Sequence, residues 1–178
     1  QLAQLQAEGW LRDHEAEIIL VNAMTTVCCA MGRVSLVEAY QKEIRKILDA
    51  KIDSPSSSSI RAKQRLREIR ALELMQSFID EFEPKLNQDK VDLRAFDVKK
   101  ELYRLPQTVI SGLGLYYGLR SSNTLQKIDE LREKNLINAA GADRLKEILR
   151  FILKLRIQAH LFYGTECEIL YYSREEPE

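Results

Sequence analysis

Apolar residues recur at helical spacing through the segment DRLKEILRFILKLRIQAHLFYG, residues 143–164, with no proline or internal glycine to interrupt them. Such a run forms a helix long enough to cross a whole domain, so the rest of the chain must supply neighbours for its apolar face. The same period appears upstream, from Trp10 to about Ala30 and again over 60–83, where Leu66, Ile69, Leu72, Met75, Ile79 and Phe82 share one face. With 45% apolar and 30% charged residues over 178 positions, there is enough chain for one ordinary soluble core. The patterning predicts an all-α fold: a single helical domain over 1–178, built as a bundle of six to seven helices.

Local signals divide the bundle. Gly32 breaks the first helix, and Ser35-Leu-Val-Glu38 reads as a capping box opening a second that runs to about Ala50, giving an N-terminal helix pair over 10–50. DSPSSSS, residues 53–59, reads as a flexible surface loop. Pro84 is expected to end the long helix over 60–83, and a polar linker follows. In the helical core over 91–164, Pro106 suits a first helical turn, where its missing N–H is harmless, and Gly118 suits the left-handed position after a helix end. Asn123 is placed to cap a short helix from 124 to about 134, and Asn138 or Asp143 to open the last helix, which ends at Gly164. In the tail over 165–178, ECEILYY has the composition of a short strand or extended tail.

Charge and cysteine usage exclude several functions. Lys plus Arg and Asp plus Glu number 27 each, and a zero net charge argues against general binding to nucleic acid or a membrane surface. The basic run RAKQRLREIR, residues 61–70, lacks aromatic neighbours and reads as a solvated helix. Three cysteines, two of them adjacent at Cys28 and Cys29, make no disulfide framework and no metal-ligand spacing. They read as buried thiols in a reducing cytosol, the producing cell's own or a host's. A start at Gln1 without Met suggests a piece of a longer or processed polypeptide. No nucleophile elbow, phosphate-cradling glycine loop or paired-metal carboxylate cluster is present, so no catalytic residue is assigned.

The polar residues of the last helix fall into two sets. Arg150, Lys154 and Gln158 lie within about 80° of one another and form the solvent stripe. Arg156 and His160 lie roughly opposite, among Leu145, Leu149 and Leu153. A guanidinium on an apolar face needs an anionic or carbonyl partner. One reading is an internal salt bridge to Asp92, Asp97 or Glu101; the other is a phosphate- or carboxylate-binding corner shared with Lys99 or Arg104. Helical HEPN ribonucleases use four to six residues between their Arg and His, and the three residues here do not meet that motif.

FDVKKELYRLPQTVISGLGLYYGLRSSNTLQKIDELREKNLINAAGADRLKEILRFILKLRIQAHLFY, beginning at Phe96, resembles the helical domain that follows the catalytic domain in nucleotidyltransferase-like proteins related to the N-terminal region of PII-uridylyltransferase. The resemblance is carried by Asp97-Val98-Lys99, the apolar helix after it, Asn123-Thr124-Leu125, Leu136-Ile137 and Leu155-Arg156-Ile157. The variant Tyr103 to Pro106 is similar to a branch found in large multidomain proteins with helical repeats, and VNAMTTVCCAMGRVSLVEAYQKEI matches more weakly. The resemblance implies a substrate-side domain packed beside a catalytic one. Asp97, Lys99 and Arg104 would then face the nucleotide or acceptor, with Arg156 and His160 beneath them. The family's catalytic signature is Gly-Ser followed by Asp-x-Asp, whose carboxylates hold magnesium; neither occurs here. Magnesium and the nucleoside triphosphate would belong to a catalytic half lying before Gln1, and this chain alone would be inert. The implied partners are an upstream catalytic or repeat domain of the same polypeptide and a protein acceptor. The alternative is a helical interaction scaffold with no nucleotide role.

Overall fold

The structure, a computed structural model, describes residue 9 and residues 18–53, 63–86 and 95–171. In chain order the elements are α1 (Ile18–Thr25), α2 (Val34–Leu48), β1 (Lys51–Asp53), β2 (Lys63–Arg65), α3 (Leu66–Leu86), β3 (Ala95–Asp97), a π-helical turn (Val98–Tyr103), α4 (Arg104–Tyr117), α5 (Thr124–Glu133), α6 (Ala139–Tyr163) and β4 (Ile169–Tyr171). The fold is all-α, with two short antiparallel ladders, β1 with β2 and β3 with β4. β4 is the strand foreseen in the tail. Its partner is β3, with Phe96 opposite Leu170, so the two ends of the family-like segment are tied together. No helix among the described residues is long and apolar enough to cross a membrane.

Helix ends follow local chemistry. Asn123 accepts from the N–H groups of Leu125 and Gln126, and Asn138 accepts from Gly141 N–H, so Asn138, not Asp143, opens α6. Gly118 and Gly164 close α4 and α6 in the left-handed conformation. The N-terminal part departs from the sequence expectation. α1 ends at Thr25, because the Thr25 and Thr26 hydroxyls fold back onto the carbonyl of Asn22 and the chain leaves the helix before Ala30. The segment expected to be helical before Ile18 lies outside the described residues apart from Gly9. α2 begins at Val34 with Arg33 at the cap position and no side-chain cap, so Ser35 lies inside the first turn and forms no capping box. Asp53 closes β1, and the remainder of the 53–59 loop lies outside the described residues.

The basic run before and within α3 is not a solvated helix. Lys63–Arg65 is extended, and Arg70 is only 1% exposed, donating to Glu73 at 2.7 Å. A carboxylate three residues along the same helix lets the guanidinium be buried as a pair. α3 runs past Pro84 to Leu86, and its inward face is Leu66, Ile69, Ala71 and Leu74, leaving Leu72 and Ile79 exposed. Nor are the thiols buried: Cys28 is exposed, and Cys29 and Cys167 are half-buried.

Two apolar clusters build the bundle. One gathers Val21, Ile44, Ile47, Leu48, Leu66, Ala71 and Leu115, joining α1, α2 and α3 to the C-terminal turn of α4. The other gathers Ile110, Ile128, Ala142 and Leu149, joining α4, α5 and α6. α4 is therefore shared, and its C-terminal end stands where the two halves meet.

Candidate functional site

The expected cluster at 97–104 forms around the β3–β4 ladder. Asp97 caps the π-helical turn, accepting from Lys100 N–H at 2.9 Å, and Glu101 accepts from Asp97 N–H at 3.2 Å. Arg156 has an anionic partner, but it is Glu168 rather than Asp92, Asp97 or Glu101. Arg156 Nε and a terminal guanidinium nitrogen donate to the two Glu168 oxygens at 2.6 and 2.7 Å, and His160 Nε2 lies 2.9 Å from Glu168 Oε1. Glu168 is 6% exposed, Arg156 19% and His160 40%. The Arg156 guanidinium also stacks over Tyr103, 4.5 Å from the ring centroid. Its hydrogen bonds to Arg156 hold the Glu168 carboxyl below the usual range against the opposing effect of burial, with His160 adding to the depression. The sequence could not single out Glu168, because its pairing depends on the turn after Gly164 and on Val98 N–H donating to the Glu168 carbonyl at 3.0 Å. Arg156, His160 and Asp97 are thus brought to one corner, where the cation is already neutralised. Lys99 is exposed, and Arg104 is half-buried at the start of α4.

A second site has an uncompensated charge. Between the two halves lies a cleft of about 80 Å³, lined among others by Arg45, Asp49, Arg67, Ser111, Arg120 and Lys127. Four of these residues are cationic and one is anionic. Lys127 projects from α5 and is 5% exposed, and among the described residues no hydrogen bond or salt bridge engages its ammonium group. Burial lowers its pKa, partly offset by Glu130 nearby. The Glu130 carboxylate is committed elsewhere, accepting from Arg120 N–H at 2.9 Å and Ser121 N–H at 2.8 Å. Arg67 Nε lies 3.1 Å from Asp49 but outside hydrogen-bond geometry, and it is buried without a hydrogen-bond partner. The end of α4 makes room for these side chains. Gly118 sits at φ 64°, where a Cβ would both strain the backbone and run into the Arg67 guanidinium. At Gly114, one turn earlier, a Cβ would press on the Lys127 stem at 3.1 Å.

None of the cleft residues was given a binding role from the sequence; Gly118 stood out only as a helix end and Arg67 only within the basic run 61–70. Lys127 follows Asn123-Thr124-Leu125 on an amphipathic helix, where one lysine looks like any solvated charge. The signal available was the Gly114/Gly118 spacing, which opens one side of the α4 end to long side chains. Among the described residues, no three His, Cys, Asp or Glu side chains are grouped to hold a metal ion.

Residues 77–164, spanning the end of α3 through α6, match the family described as "Putative nucleotidyltransferase substrate binding domain". This segment belongs to that family. It contains Asp97, Lys99, Arg104, Arg156 and His160, and on the cleft it contains Ser111, Gly114, Gly118, Arg120 and Lys127. Arg45, Asp49 and Arg67 come from the chain before it, so the cleft is completed by the N-terminal helices. No curated protein matches the chain.

Proposed function

We propose that this chain is the substrate-side helical domain of a larger nucleotidyltransferase-like protein and performs no catalysis by itself. The carrying observation is the family match over 77–164 in a chain with no Gly-Ser dipeptide and no Asp-x-Asp. Phosphoryl transfer of this kind needs carboxylates to hold magnesium, and those would come from a catalytic domain of the same polypeptide acting in a reducing cytosol. Asp97, Lys99 and Arg104 are the polar residues of the β3–α4 corner through which the domain would face nucleotide or acceptor. Arg156 and His160 support that corner by holding Glu168.

The rival reading, a scaffold with no nucleotide role, draws support from the apolar side chains that α6 leaves exposed, Phe151, Ile157, Leu161 and Phe162. A scaffold, however, gives no account of a buried lysine whose ammonium has no hydrogen bond or salt bridge among the described residues. The test compares label transfer from nucleoside triphosphates by this chain and by the full polypeptide, with and without residues 1–178. The proposal expects no transfer by the chain alone, transfer by the full polypeptide, and a raised KM or lost acceptor specificity on deletion. Turnover by the chain alone, or a full polypeptide indifferent to the deletion, would overturn it.

A further inference from the structure

We infer that the cleft between the N-terminal helices and the family core is a binding site for a phosphate group, with Lys127 as its central ligand and Arg67, Arg45 and Arg120 around it. The inference rests on the geometry of the cleft and takes from the substrate-side reading only the expectation that the phosphate is carried by a nucleotide.

Three observations converge. The first is Lys127 itself. A lysine that is 5% exposed, with no side-chain hydrogen bond or salt bridge among the described residues, is disfavoured in its charged form despite the Glu130 charge nearby, and an anion beside it would relieve that. The second is the balance of the lining, with Arg45, Arg67, Arg120 and Lys127 against Asp49 alone in a protein of zero net charge. Asp49 is itself mostly exposed on its side of the pair with Arg67, and Arg45 donates to Gln41, which is neutral. The third is size and polarity. A cleft of about 80 Å³ has room for a phosphate group. Ser111, which is buried, adds a hydroxyl to the same wall. A planar guanidinium and an ammonium on opposite elements suit a tetrahedral dianion, the one giving forked donors and the other a compact charge.

Three helix ends border the cleft, the C-termini of α2 at Asp49 and of α4 at Gly118 and the first turn of α3 at Arg67, so the helix dipoles oppose one another there. The site therefore depends on its side chains, and single substitutions should be felt.

The experiment is calorimetric titration of the full chain with orthophosphate, pyrophosphate and ATP, repeated for Lys127→Met, Arg120→Gln and, as a control on the solvent face of α6, Lys154→Met. The expected result is saturable binding of at least one phosphate probe that Lys127→Met weakens tenfold or more. Arg120→Gln should weaken it several-fold, and Lys154→Met should leave it unchanged. Should Lys127→Met fail to fold, Arg120→Gln and an Arg45→Gln variant carry the test. ATP binding well above pyrophosphate identifies a nucleotide. Equal binding of the two supports the phosphate site while counting against a nucleotide as its ligand, so the two readings fail separately. No binding at millimolar probe, or equal loss with Lys154→Met, would overturn the inference.

Discussion

Arg156→Met should destabilise the protein by about 2–3 kcal/mol, and the reasoning runs through Glu168 rather than through the arginine. Breaking a buried ion pair by removing one partner costs about 3–5 kcal/mol, because the remaining charge is left uncompensated. Glu168 would lose two of its three side-chain hydrogen bonds and keep only His160, which argues for a substantial loss. Arg156 is 19% exposed, so water can partly replace it, and this places the expectation at the lower end. For a domain of this length each kcal/mol moves Tm by roughly 2–4 °C, so the variant should melt roughly 5–10 °C lower. Urea unfolding followed by circular dichroism at neutral pH measures it. The double variant Arg156→Met/Glu168→Leu should recover much of the loss, since it removes both charges instead of stranding one. A single variant within 0.5 kcal/mol of wild type, or a double variant as unstable as the sum of the singles, would refute the account of this corner.

The same carboxyl sets a pH dependence. Glu168 titrates below its ordinary 4.5 in the folded state, so its contribution is complete above about pH 4.5 and is lost as pH falls through the depressed value; acid unfolding of Arg156→Met should show less of that loss. Lys127→Met should leave the ligand-free protein as stable or more stable, by on the order of 1 kcal/mol, because it removes a desolvated charge that only the nearby Glu130 offsets among the described residues. The folded pKa of Lys127 lies below 10.5, so its penalty operates at neutral pH and lifts as pH rises towards 10.5, and the gap between the two proteins should narrow over that range. Gly118→Ala should cost about 1–2 kcal/mol in thermal or urea unfolding, from the left-handed backbone and the displaced Arg67, and should weaken phosphate binding as well. Asn123→Ala should cost about 1 kcal/mol in the same assays through loss of the α5 cap.

Helix-period patterning and caps were legible wherever a single residue type decides the matter: Asn123, Gly118, Asn138 and Gly164 each act within one turn of their own position. Ser35 shows where that reading stops. A serine three residues before a glutamate fits a capping box, but the chain enters α2 at Val34, and the helix start is settled by the preceding loop, where Gln41 donates to the Val27 carbonyl at 2.7 Å. Partner choice was less legible. That Arg156 needed an anion followed from its position on an apolar face; that the anion was Glu168 followed from the β3–β4 ladder, a contact between residues some seventy positions apart. Arg67, Arg70 and Lys127 look like ordinary surface charges in sequence, and their burial comes from packing between elements. The cleft that Arg67 and Lys127 line joins two parts of the chain, only one of which carries the family pattern.

The account turns on whether this domain serves a nucleotidyltransferase, and the most direct measurement is the coding sequence immediately upstream of Gln1. The account predicts a Gly-Ser followed within about a dozen residues by Asp-x-Asp, in a strand-rich pattern ahead of the first helices. An upstream region of repeats or linker without those carboxylates would contradict it and leave the helical scaffold in its place.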